Sequence, residues 1–106
     1  MSDWYDFAAA GELSEGGYLR RDVDGIMIAV FRIDGTLHAI EDVCTHDGGR
    51  LTGGPREGCR LVCPRHGAAF DLRTGAVLAP PAYGPLTTFA VREAGDRIEV
   101  AIPEDF

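Results

Sequence analysis

The 106-residue chain contains no lysine; ten arginines stand against seventeen carboxylates, for a formal charge of −7 at pH 7. Phosphate backbones attract basic surfaces, so this balance excludes nucleic acid as a natural partner. Long apolar runs are also missing. The longest strongly apolar stretch, "IMIAVF", falls far short of the roughly 18 residues that span a bilayer, so no membrane is expected as a partner. The acidic opening "MSDWYDFAAAGELSEGG" has neither the basic n-region nor the apolar h-region of a secretory signal, and the expectation is a soluble, cytoplasmic protein. Cysteines number three. An odd count cannot pair completely, and a reducing compartment disfavours a disulfide framework, so metal binding is the better use for them. No dinucleotide fingerprint appears, and a chain this short has no room for a flavin site, a nicotinamide site or a second metal domain beside its own core.

Fourteen glycines and six prolines are scattered along the chain. Glycine supplies positive φ and proline fixes its own, so they predict short strands joined by tight turns, an all-β fold. The length suits a single domain, residues 1–106, with one modest core. In "VDGIMIAVFRIDGTLHAIED" the pairs Asp24-Gly25 and Asp34-Gly35 bracket an apolar run, and Asp-Gly suits the two-residue hairpin turn. Strands are predicted over Tyr18–Asp22, Ile26–Ile33 and Thr36–Glu41, and again over Leu86–Glu93 and Arg97–Ile102, turned by Ala94-Gly95-Asp96. In the last of these Ile98, Val100 and Ile102 alternate with polar or small residues, the period of a half-buried strand. The three prolines of "APPAYGPL" make it a stiff loop. "AAAGELSEG" allows a turn or two of helix at most. No internal repeat is evident.

The segment from Cys44 to His66 holds all three cysteines and two of the three histidines. By spacing it reads Cys44-x-His46, sixteen residues, then Cys63-x-x-His66. A structural zinc site usually draws its ligands in like pairs, whereas here each short loop offers one sulfur and one nitrogen. That allocation suits two irons better than one metal, because in a Rieske-type 2Fe-2S centre two cysteines hold one iron and two histidines the other. Gly48, Gly49 and Gly67 let the backbone approach bridging sulfides closely enough for N–H groups to reach sulfur. A zinc module built on the same Cys2His2 set stays open at this point. A Cys-His nucleophilic enzyme is disfavoured, since four candidate ligands exceed what a nucleophile and a base require.

"CTHDGGRL" resembles the C-x-H-x-G-x-x-L box of Rieske proteins, "CPRHGAAFDLRTG" resembles their C-P-x-H-G-x-x-F-D-x-x-T-G box, and "LAPPAYGPL" is similar to the family's proline-rich loop. The likeness covers nearly the whole chain. It implies three stacked antiparallel sheets, with a cluster-binding subdomain at about residues 43–85 inserted into a β base domain. It implies one 2Fe-2S cluster, with Cys44 and Cys63 on the inner iron and His46 and His66 on the outer. The function implied is that of a ferredoxin component of a multicomponent oxygenase system, itself no enzyme, passing single electrons from an NAD(P)H-dependent flavin reductase to a terminal non-haem iron oxygenase. The alternatives are the small Rieske-like subunit of an assimilatory nitrite reductase and, outside redox chemistry, the zinc module.

High-potential members of the family carry an extra disulfide where this chain has Gly49 and Arg65, and hydroxyl donors where it has Ala68 and Phe70. The resemblance therefore implies a potential toward the roughly −150 mV end of the Rieske range. Residues 44–80 carry five arginines against three carboxylates, leaving five against fourteen elsewhere. On this reading the arginines, Arg65 above all, stabilise the charge added on reduction and orient an acidic partner. Four further residues are expected in supporting places: Cys59 as a small apolar residue, His38 at a rim without a ligand role, Trp4 and Tyr5 closing an edge of the core. Tyr83 is expected to pack over the cluster.

Overall fold

The computed structural model describes residues 2–45, 48–82 and 84–106, so the expectations for His46 and Tyr83 lie outside the described residues. The strands are β1 (Ser2–Ala9), β2 (Tyr18–Val23), β3 (Ile26–Ile33), β4 (Thr36–Glu41), β5 (Arg56–Glu57), β6 (Arg60–Val62), β7 (Ala69–Asp71), β8 (Val77–Ala79), β9 (Thr88–Ala94) and β10 (Arg97–Pro103). All pairings are antiparallel, in the orders β1-β10-β9-β4-β3-β2 and β5-β6-β7-β8. The helix candidate near the N-terminus is a single 3-10 turn, Ala10–Glu12.

The two Asp-Gly pairs do turn the chain. Val23 pairs with Ile26 and Ile33 with Thr36, and Asp24 and Asp34 take φ of 53° and 51° beside glycines that are also positive. Positive φ at both central residues is the hairpin turn whose twist matches its strands.

β9 divides the larger sheet. Its first residues, Thr88 and Phe89, pair with Ile40 and Ala39 of β4, while Ala90 to Ala94 pair with β10. The result is two ladders sharing one strand, which with β5–β8 makes the three antiparallel sheets expected.

β3 lies in the middle layer and is buried on both faces. Ile28 and Val30 join Phe7, Phe89, Ile98 and Val100 in one apolar cluster, whereas Ala29, Phe31 and Ile33 join Leu51, Leu61, Phe70 and Leu72 in the other. Successive residues of a strand point to opposite faces, so a strand between two cores has no polar face to show. That is why "IMIAVF" runs apolar without alternation. The second cluster also holds Cys44 and Cys63, so the candidate ligand loops grow directly out of a packed core.

Several details depart from the sequence reading. β1 was not expected, because "SDWYDFAA" has no clean period: a bulge between Asp6 and Ala8 shifts its register on β10, which breaks the alternation. Within it Tyr5 packs partly against the core. Trp4 does not close the core; it is 40% exposed, with the Arg92 guanidinium 3.9 Å above its ring, a cation–π contact. β9 begins at Thr88 rather than Leu86, because the Leu86 amide donates instead to the Gly75 carbonyl at 2.8 Å. Among the described residues no helix is long and apolar enough to cross a membrane.

Candidate metal centre

The two loops carrying the unlike ligand pairs close in the same way. In the first, the Gly48 amide donates to the Cys44 carbonyl at 2.7 Å and the Cys44 amide to the Gly49 carbonyl at 2.8 Å. In the second, the Gly67 amide donates to the Cys63 carbonyl at 3.2 Å and the Cys63 amide to the Ala68 carbonyl at 2.7 Å. Gly48 and Gly67 sit at equivalent places with φ of 75° and 77°, the left-handed region that a Cβ makes costly. Each loop is one turn closed four residues after its cysteine, a conformational repeat that the residue letters hide.

Both closures begin at a buried residue. Cys44 and Cys63 are 0% and 2% exposed, while Pro64, Arg65, His66 and Gly67 are exposed. The two cysteines therefore lie in the core and His66 lies at the surface. The loops bring the two cysteines together: the Cys44 side chain hydrogen-bonds the Cys63 sulfur, which also accepts the backbone amides of Arg65 and His66. Burial pushes the Cys63 thiol up, but these donors and the Arg65 charge outweigh it, and its pKa lies below the ordinary thiol value. A sulfur so surrounded is prepared to be a thiolate, the form that binds metal. None of the three cysteines is in a disulfide. Among the described residues no three His, Cys, Asp or Glu side chains converge on a single metal position, a convergence that a binuclear cluster, with its ligands spread over two irons, does not need.

The sequence reading missed the residue that fixes the first loop. Asp42, two before Cys44, is 2% exposed. One carboxylate oxygen accepts the amides of Leu51 and Thr52, both at 2.9 Å, and the other accepts the Thr52 hydroxyl at 2.6 Å and the Arg20 guanidinium. Burial alone would raise its pKa; the bonds from Thr52, Arg20 and Leu51 prevail and hold it below the usual carboxylate value. The loop is thereby pinned at its entry, Asp42, and just past its exit, Leu51-Thr52. Thr45 extends the hold, its hydroxyl donating to the Gly84 carbonyl at 2.7 Å in the proline-rich loop.

Gly54 presses on the second loop. A Cβ there would stand 2.0 Å from the Val62 carbonyl oxygen and 3.0 Å from the Pro64 nitrogen. Gly54→Ala is therefore expected to displace the Val62–Pro64 backbone and cost on the order of 1–3 kcal/mol, as overpacked sites do. Thermal unfolding checks this, and a midpoint equal to the parent's would show that the contact relaxes freely.

Cys59 is half-buried and packs against the core cluster containing Leu72 and Phe70, as an apolar residue would. His38 lies on β4 opposite Phe31, half-buried. Burial and then the Arg73 charge depress its pKa against the pull of Asp71.

A family model described as "Rieske [2Fe-2S] domain" matches residues 3–90. The ferredoxin component of the naphthalene 1,2-dioxygenase system of Pseudomonas aeruginosa is 33% identical over 97 residues, covering 92% of this chain and 93% of that protein. The 3-phenylpropionate/cinnamic acid dioxygenase ferredoxin subunit of Escherichia coli (strain K12) is 39% identical over 94 residues, 88% of each chain. Among solved structures, a chain of the complex of reduced oxygenase and oxidized ferredoxin in carbazole 1,9a-dioxygenase superposes with a TM-score of 0.84 at 33% identity, covering 92% of each chain.

Proposed function

The chain belongs to the Rieske [2Fe-2S] domain family, and from that premise we propose that Cys44, Cys63, His46 and His66 hold its one 2Fe-2S cluster, the cysteines on the inner iron and the histidines on the outer. Residues 43–85 then form the cluster-binding part of a single domain. The observation that carries this is the pair of similarly closed loops with Cys44 and Cys63 buried and His66 exposed. Bound there, the cluster supplies one-electron oxidation and reduction. The chain's own residues exclude water from the sulfurs, donate N–H groups to Cys63, and present His66 to a partner as the exit for the electron.

Its role is that of the ferredoxin relatives: an electron carrier of an aromatic-ring dioxygenase system rather than a catalyst. The partner we propose on one side is a terminal oxygenase, since a ferredoxin of this fold has been solved in complex with one. On the other side we propose an NAD(P)H-dependent flavin reductase. Cysteines that hold metal suit a reducing compartment, and we place the protein in the cytoplasm.

The test is the EPR spectrum of anaerobically purified, dithionite-reduced protein, with iron, sulfide and zinc assayed on the same sample. The expected result is a rhombic signal with an average g value below that of all-cysteine clusters, with iron and sulfide in equal amounts. A colourless, EPR-silent sample containing one zinc per chain would overturn the assignment.

Ala68 and Phe70 are both fully buried beside the second loop and carry no hydroxyl. Ala68→Ser is expected to raise the reduction potential on the order of 50 mV, the equivalent of one modest hydrogen bond favouring the reduced form. Spectroelectrochemistry reads this directly. An unmoved potential would mean that the side chain at position 68 does not face the cluster.

A further inference from the structure

Arg65 acts on both loops at once. Its backbone amide donates to the Cys63 sulfur of its own loop, while its side-chain Nη1 crosses to the carbonyl oxygen of Arg50 at 2.7 Å. The acceptor is well held: Arg50 directly follows Gly49, whose carbonyl closes the first loop, and its own guanidinium donates to the Thr52 hydroxyl at 2.9 Å and to the Tyr18 hydroxyl at 3.1 Å. Thr52 is fixed in turn by buried Asp42, and the Tyr18 ring stacks on core Phe31 with centroids 5.2 Å apart. A continuous path of hydrogen bonds thus runs from the second candidate ligand loop, through Arg65 and Arg50, to the core under the first.

We propose that Arg65 is a positioning residue whose guanidinium ties the two ligand loops together, so that a cluster clasped between them is retained, and whose fixed charge beside Cys63 favours the reduced cluster. Among the described residues the two turns share no backbone hydrogen bond, so the tie joins separate pieces of chain. It acts where the chain has no disulfide. The part concerning the cluster rests on the reading that these loops hold one; the tie itself rests only on the hydrogen bonds.

The experiment compares wild type with Arg65→Met, which keeps the stem and removes both charge and donors, and with Arg65→Lys, which keeps the charge but not the planar fork. Hydrogen exchange of peptides covering residues 44–50 and 63–68 reads the tie in the protein as purified. For a hydrogen bond of ordinary net strength, Arg65→Met should speed exchange in both peptides about fivefold and shorten the lifetime of the visible chromophore under chelator by a similar factor. At fixed ambient potential its oxidised-to-reduced ratio should rise about threefold, the effect of removing one partly screened charge. Arg65→Lys should restore the ratio but not the lifetime. Unchanged exchange and lifetime in Arg65→Met overturn the tie, and an unchanged ratio, or one that Arg65→Lys fails to restore, overturns the role of the charge. A wild-type sample without the rhombic signal counts against the cluster reading, and the exchange comparison still decides the tie.

Discussion

An Asp42→Ala variant is expected to lose about 3–5 kcal/mol of stability, a large share of the about 5–15 kcal/mol that makes up a domain's whole margin. The substitution removes one side chain and strands four donors: the Leu51 and Thr52 amides, the Thr52 hydroxyl and the Arg20 guanidinium. The two amides and the hydroxyl are buried, and an unsatisfied buried donor costs about 1–3 kcal/mol. Arg20 is 30% exposed on its side chain and can turn to water, whereas Asp42 has no such outlet at 0%. Asp42→Asn keeps an acceptor for the amides but loses the charge, and should cost less than half as much. Urea unfolding monitored by circular dichroism measures both. A loss under about 1 kcal/mol in Asp42→Ala would mean that water replaces the carboxylate without strain.

The same carboxylate sets an acid limit. Its folded pKa lies below the ordinary value, so the folded state binds the proton less readily than the unfolded chain, where an aspartate titrates at about 3.9. The stability it contributes is therefore complete above that pH and is lost as pH falls through the lower folded value. In Asp42→Asn this part of the acid sensitivity should vanish, leaving a shallower decline below about pH 4.

Asp42 also shows where sequence reading stops. Its partners are nine, ten and twenty-two residues away, so no local pattern marks it, and an acidic residue at a strand end reads as a solvated one. The four strands of the ligand segment escape for another reason: each has only two or three residues, too few to display a period. By contrast β3 and β4 were legible to the residue because Asp-Gly pairs bound β3 at both ends and its length carries the pattern. The candidate site was legible in its letters, one sulfur and one nitrogen in each loop. Its equivalence of shape was not, because the histidine stands two places after Cys44 and three after Cys63, and only the closing amides of Gly48 and Gly67 show that the loops are alike.

The remaining large effect separates the cluster from the fold. On the proposed ligand set, Cys63→Ala and His66→Ala are both expected to abolish the chromophore and the rhombic signal, with iron reduced to background, since a cluster lacking one of four ligands is not retained by one modest loop contact. Their effects on the polypeptide should differ. His66 is exposed, so His66→Ala should leave the unfolding free energy of the cluster-free protein within about 0.5 kcal/mol of cluster-free wild type. Cys63 is 2% exposed and packed among Leu61, Phe70 and Leu51, so Cys63→Ala leaves a small void and frees the Arg65 and His66 amides that had donated to its sulfur. A further loss of about 1–2 kcal/mol is expected there. His66→Cys gives the most telling outcome. Where a cluster assembles, the added thiolate charge should lower the potential toward the roughly −400 mV of all-cysteine ferredoxins, and where none assembles the chromophore is lost. An unaltered spectrum and potential in that variant would exclude His66 as a ligand and, with it, the exposed exit for the electron.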